Sequence, residues 1–265
     1  MNTFFLDRLN SEPHALAFAG QSTPWPVALA DQSANPALDE ALHTHAAAAQ
    51  ALLYPVSAEL LATTGRPVDL FGFEPNPARL GAAAAASASV PGIALTQLGA
   101  LLDAAALGYN PAQAKPVAVL GHSQGVLAVH MVQAICEAGS IDAAAAKIDE
   151  ILAIATLIGV AGTRQARQLG LAARHGEATP MLSVKDITRA QVDALIERVD
   201  GARGPIAVAV TNSATHYVLS GYPEDLAAFG VEVAKEHKRQ AKLREEKVRG
   251  GRVFDPTLEY LDVTL

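Results

Sequence analysis

Apolar positions along this chain fall into two textures. Up to about residue 178 the spacing is mostly helical, interrupted by two short strand-like runs. His14–Ala19 reads as a short strand. Residues 35–64 read as helical turns broken near Pro55. Val90–Leu107 carries an apolar stripe at Ile93, Leu95, Leu98, Leu101 and Leu102. Pro116–Leu120 is a short valine-rich run suited to a buried parallel strand. A helix over Gln124–Glu137, closed by Gly139, follows it, and then another over Ile148–Arg167. The alanine-rich stretches Gly81–Ala88 and Asp142–Ala146 read as helix segments, since alanine favours helix and allows close packing.

After Pro180 the pattern shortens. Met181–Val184 reads as a strand, and Thr188–Val199 as a helix with Thr188 as N-cap and Gln191 at the capping-box position. Ile206–Val210 and His216–Ser220 read as strands joined by Asn212–Thr215, and a helix starts at Glu224. The order β-α-β-β-α is most of a ferredoxin-like split βαβ unit. Residues 258–265 have strand character, and the chain stops there in what reads as mid-structure, as a segment of a longer polypeptide would. The expected division is a large subdomain over residues 1–178, a small one over 179–255, and a strand over 256–265 returning to the large subdomain.

Composition narrows the class. Of 265 residues, 50% are hydrophobic and 18% charged, which fits a folded globular chain. A net charge of −7 argues against nucleic-acid binding. The single cysteine, Cys136, excludes an internal disulfide and a cysteine-based zinc site. There is no signal-like N-terminus and no long uninterrupted apolar run, so neither export nor a membrane span is expected, and the cytoplasm fits. Charge is unevenly placed. Lys235–Arg252 holds eight basic and three acidic residues, which fits a solvated helix face or a surface steering phosphates or an acidic partner. No dinucleotide loop, P-loop or metal-ligand cluster is present, so no cofactor is expected in this segment.

The chemistry-bearing motif is Gly121-His-Ser-Gln-Gly125, between the strand Val117–Leu120 and a helix. G-x-S-x-G between strand and helix is a nucleophile elbow. It lifts Ser123 onto a strained tip, and the flanking glycines remove side chains that would clash there. The following helix N-terminus and the Gln124 N–H face any negative charge that develops beside the hydroxyl. His122 is the neighbour of the nucleophile, with its side chain expected to point away. A serine needs a base. Eight histidines are present, at 14, 43, 45, 122, 130, 175, 216 and 237, and none stands in an evident Asp-then-His arrangement after Ser123.

Several segments together resemble the acyltransferase domains of fatty acid synthases. More narrowly, they resemble the N-terminal starter (acetyl) transferase domain of the actinobacterial type I synthase, related to the fungal one. These segments are Ala17-Phe-Ala-Gly-Gln-Ser22, Gly72-Phe-Glu-Pro75, Ser89-Val-Pro-Gly92, Gly121–Gly125, Pro180-Met-Leu-Ser183, Asn212 with Val218-Leu-Ser-Gly221, and Val248-Arg-Gly-Gly251 with Val253-Phe254. The resemblance implies an α/β fold: an α/β-hydrolase-like acyltransferase core with a ferredoxin-like inserted subdomain. It implies that Ser123 is acylated by acyl-CoA and passes the acyl group to the phosphopantetheine thiol of an acyl carrier protein. Gln21 would supply the second backbone oxyanion donor beside Gln124. The loop here reads Gly-Gln-Ser rather than the commoner Gly-Gln-Gly.

Malonyl-specific relatives carry an arginine where Ile158 stands, so a neutral starter acyl group is implied, with His122 and Asn212 near the substrate. The base histidine of the family would fall just beyond Leu265, which makes this segment a poor catalyst alone. A full-length synthase with further domains, homo-oligomeric and cytoplasmic, is the implied setting. A serine esterase or thioesterase, and a non-catalytic structural segment of the synthase, stand as the alternative readings.

Overall fold

The computed structural model describes residues 3–20, 25–52, 70–72, 86–168, 179–199, 203–245 and 254–261. The chain divides into two compact units, Met1–Arg167 with Leu265, and Gln168–Thr264.

The large unit is mostly helical. Its elements are α1 (Thr3–Ser11), β1 (Ala15–Phe18), α2 (Trp25–Ser33), α3 (Pro36–Leu52), α4 (Ala86–Ala106), α5 (Pro111–Ala114), β2 (Ala118–Gly121), α6 (Val126–Ala138) and α7 (Ile141–Gln168). β1 and β2 pair in parallel, Ala15 opposite Ala118 through Phe18 opposite Gly121. The valine-rich run therefore is a parallel strand, but it is not buried. Val117 is 71% and Leu120 59% exposed, because the sheet has two strands among the described residues and nothing among those residues covers that side.

The core forms around α4. Ile93, Leu95 and Leu98 pack with Leu42, Met131, Ile135 and Ile148, all buried. The one-sided stripe expected for Val90–Leu107 is too modest a reading, since nearly every residue from Ala86 to Gly99 is buried. Helix α4 is long and apolar enough to cross a membrane, but 72% of its most apolar window is buried inside the protein, as befits a core helix. Trp25 of α2 packs flat on Gly92, where any Cβ would overlap the indole. Helices α1 and α2 had no expectation in the sequence. Helix α6 starts at Val126, later than Gln124, because Ser123–Gly125 forms a 3-10 turn; it ends on left-handed Gly139 as expected. Helix α7 runs 28 residues and absorbs the alanine-rich Asp142–Ala146. His45 of α3 bonds Asp149 of α7 at 2.6 Å in a mostly buried pair, which gives that histidine a structural role. The break near Pro55 and residues 81–85 lie outside the described residues.

The small unit completes the βαββαβ pattern: β3 (Met181–Lys185), α8 (Arg189–Ile196), β4 (Ala207–Ser213), β5 (His216–Ser220), α9 (Pro223–Glu245) and β6 (Thr257–Tyr260). The sheet order is β4-β5-β3-β6, with every adjacent pair antiparallel, which is the ferredoxin-like order. The strand expected to return to the large subdomain does not do so over 257–260. Thr257–Tyr260 hydrogen-bonds along β3, Leu258 opposite Val184, and Leu258 packs on the small unit's core. The unit also begins earlier than expected, at Gln168 rather than residue 179. The Thr188–Gln191 capping box is present in both directions.

Two carboxylates of α9 tie it to the segment after α8. Asp225, 5% exposed in the first turn of α9, accepts from the Arg203 and Gly204 amides at 2.9 and 3.0 Å. Glu236, whose side chain is 8% exposed, accepts from Arg239 at 2.9 Å, Gln240 at 2.8 Å and Arg198 at 3.0 Å. Hydrogen bonding from Arg239 is the main reason that its carboxyl sits at about 2, against an ordinary 4.5; burial works the other way. A depressed carboxyl stabilises the fold above its unfolded pKa, and that contribution drains away as pH falls from about 4.5 toward 2. Glu236→Gln is therefore expected to cost about 1–3 kcal/mol of stability at neutral pH. In urea titrations the gap from wild type should narrow between pH 5 and pH 2.5; a gap that stays constant would contradict this account.

Candidate active site

The site grows from the junction of β1 and β2. At the end of β2, His122 is still extended, with φ −94° and ψ 127°, and Ser123 turns left-handed at φ 54°. A non-glycine residue there is strained, and the surroundings hold it. The His122 amide donates to Phe18 O at 3.0 Å, and the Gly125 amide donates back to His122 O at 2.9 Å. Three glycines let the backbones close in. A Cβ on Gly125 would overlap the Phe18 carbonyl, and one on Gly121 would overlap the Gly125 backbone. One on Gly20 would lie 2.7 Å from the Ser123 Cβ. The loop after β1 is thus pressed against the nucleophile turn.

The result matches the motif's expected geometry. Ser123 is exposed at the start of the turn that leads into α6, so its hydroxyl sits beside the positive end of a 13-residue helix. Gln124 follows in the 3-10 turn, with its side-chain Oε1 buried and without a donor among the described residues. His122 is exposed. Gln21 lies outside the described residues. Gly20, directly before it, stands against Ser123 and Gln124.

Ile158 lies on α7 and is 52% exposed. It forms an open apolar ridge with Ile154 and Leu157 rather than packing in the core. Asn212 sits inside β4, not in the turn, because the hairpin turn shrinks to Ala214–Thr215. It belongs to the small unit, where its Nδ2 lies 3.4 Å from His216 Nε2, and His216 Nε2 also pairs with Ser183 Oγ at 3.1 Å. Ser123, Gln124, His122 and Gly20 thus come together in the large unit, where Ile158 also lies; Asn212 belongs to the other unit.

No histidine among the described residues hydrogen-bonds Ser123. His14 pairs with Tyr109, His43 stacks on Phe71, His45 holds Asp149, and His237 faces Asp255. His130 is exposed, and His175 lies outside the described residues. The motif reading missed Gln97 of α4. Its Nε2 donates to Ala19 O at 2.6 Å, one residue before Gly20. Its only signal in the sequence is an amide set in an otherwise apolar helical run.

Comparison with known proteins follows the same lines. Residues 180–260 match the family "Fatty acid synthase central AT domain". A stretch of 128 residues, 43% of this chain, is 30% identical to the fatty acid synthase beta subunit hexB of Dothistroma septosporum, and it spans 7% of that protein. Among solved structures, FabD from Acinetobacter baumannii superposes with TM-score 0.51 at 17% identity, covering 95% of this chain and 62% of that one. The malonyl CoA-acyl carrier protein transacylase from Clostridium perfringens gives 0.50 at 16% identity, covering 96% and 61%. The fabD transacylase from Coxiella burnetii gives 0.50 at 17%, covering 96% and 62%. The chain spans about three fifths of the length of these solved transacylases. The fold is the α/β acyltransferase fold they share.

Proposed function

We propose that this chain is an acyl-transfer domain of the fatty acid synthase type, with Ser123 as the acyl carrier in transit and a neutral starter group, acetyl, as its cargo. The observation that carries the reading is Ser123 itself: an exposed hydroxyl on a left-handed turn, at a helix N-terminus, with a second backbone loop pressed against it. The match of residues 180–260 to the synthase family supports it.

The chemistry runs in two halves. Ser123 Oγ attacks the thioester carbonyl of acyl-CoA while a base takes its proton. The carbonyl oxygen becomes an anion facing the Gln124 amide and, as the resemblance implies, that of Gln21, and the C–S bond then breaks, releasing CoA thiol with that proton. The phosphopantetheine thiol of an acyl carrier protein attacks the acyl-serine in the same way and frees Ser123. No described histidine hydrogen-bonds Ser123, and the resemblance implies a histidine base outside the described residues. The domain needs no cofactor of its own.

Labelled acetyl-CoA tests the reading on the full-length polypeptide. Label that lands on Ser123 and moves to a carrier thiol supports transfer. Rapid release of free acetate points to a hydrolase instead, and no label on an intact protein to a structural role.

Specificity has its own test. Ile158 offers no hydrogen-bond or charge partner to the carboxylate of a malonyl group. Ile158→Arg is expected to raise malonyl loading relative to acetyl by about tenfold or more, as a charge-assisted hydrogen bond allows. Competition between the two thioesters measures it, and an unchanged ratio removes Ile158 from the acyl site.

A further inference from the structure

We infer that Gln97, buried in the middle of α4, is a positioning residue that holds the Ala19–Gly20 backbone against the nucleophile turn; this rests on the acyl-transfer reading above. Gln97 is 8% exposed, and its Nε2 donates to the Ala19 carbonyl at 2.6 Å. Only the nitrogen of the carboxamide can donate, so the amide lies one way round. Its oxygen is then left buried with no donor among the described residues. A residue present only to fill space would be apolar, like Ile93, Leu95 and Leu98 around it. The cost of that orphaned oxygen is sustained by the contact its nitrogen makes.

The contact matters because of where Ala19 stands. Its carbonyl is wedged between the Gln97 amide and Gly125, whose Cβ, if present, would come within 2.9 Å of the oxygen. In a trans peptide the N–H of the next residue points opposite to the C=O. Anchoring Ala19 O on α4 therefore fixes the plane of the Ala19–Gly20 peptide. Gly20, the other half of that peptide, lies against Ser123 and Gln124. Gln97 touches no substrate; it acts through the backbone of residues 19–20.

Two variants test this in the full-length polypeptide: Gln97→Met, which keeps length and loses the donor, and Gln97→Glu, which keeps shape and presents oxygens to the Ala19 carbonyl. Single-turnover acylation by acetyl-CoA gives a rate constant, an amplitude and the concentration dependence. The expected result is a rate constant lower by about ten- to a hundredfold, as a displaced catalytic group produces. Half-saturating acetyl-CoA and the fraction of Ser123 that becomes acylated should stay as in wild type. A merely structural role would instead shrink the acylated fraction and leave the rate per active molecule intact, and that outcome overturns the proposal, as does an unchanged rate constant. If wild type itself forms no acyl-Ser123, the acyl-transfer reading fails separately. Amide hydrogen exchange at Gly20 then decides for Gln97. Faster exchange in Gln97→Met supports the anchor, and equal protection overturns it.

Discussion

Ser123→Ala is expected to abolish acyl-enzyme formation, lowering acylation by at least about a thousandfold, with the fold intact. The size follows from the mechanism: without the hydroxyl there is no covalent intermediate, and donors alone leave only a residue of catalysis over water. The structural cost is small. The side chain is exposed, and the left-handed φ of 54° is set by the backbone contacts of His122, Gly125 and Phe18 rather than by the hydroxyl. Mass spectrometry of the intact protein after incubation with acetyl-CoA reads the outcome directly. Label retained on Ser123→Ala at the wild-type level would sink the assignment.

Gly125→Ala should be strongly damaging to the large unit. The added Cβ would sit inside the Phe18 carbonyl and close to that of Ala19, and both belong to backbone that has nowhere to retreat. Phe18 is paired in β1 and its carbonyl already accepts from His122; Ala19 is held by Gln97. Overpacking against rigid backbone costs about 1–3 kcal/mol or more, and here it also separates the two loops that flank the nucleophile. Loss of acylation should therefore exceed the loss of stability.

Gly162→Ala serves as the contrast. It lies in α7, its Cβ would rest 3.5 Å from the Ala86 Cβ in ordinary contact, and a helical Gly→Ala change gains up to about 1 kcal/mol. Thermal melts of the two variants should move in opposite directions. A tolerated Gly125→Ala, melting and acylating as wild type, would mean that the β1 loop is not packed on the elbow.

Local signals in the sequence were legible where chemistry is local. The G-x-S-x-G turn, the Gly139 stop and the Thr188–Gln191 box each specify their own few residues, so spacing was enough. The small unit's element order was equally readable, because each strand and helix is short and bounded by turn residues. Helix α2 was missed because Trp25–Ser33 is short and its apolar residues make contacts on α4, so its own periodicity is weak. The burial expected of β2 failed for a related reason. A valine-rich run has the same composition whether or not neighbouring strands cover it, and here Val117 and Leu120 face outward. The 257–260 strand went to the wrong sheet because strand character does not name its partner; the β3 register does. At the candidate site, the Ser123 turn was visible as a motif, whereas Gln97 was not, since its hydrogen bond goes to a carbonyl 78 residues away.

The sequence alone therefore determined the Gly121–Gly125 turn and the ferredoxin-like pattern, both of which are short-range patterns of residue type. Only the tertiary structure decided which backbones crowd against Ser123, that Ile158 is open rather than packed, and that Thr257–Tyr260 closes the small sheet. Those outcomes depend on contacts between segments distant in the chain, where shape and hydrogen-bond partners, not local propensity, set the energy.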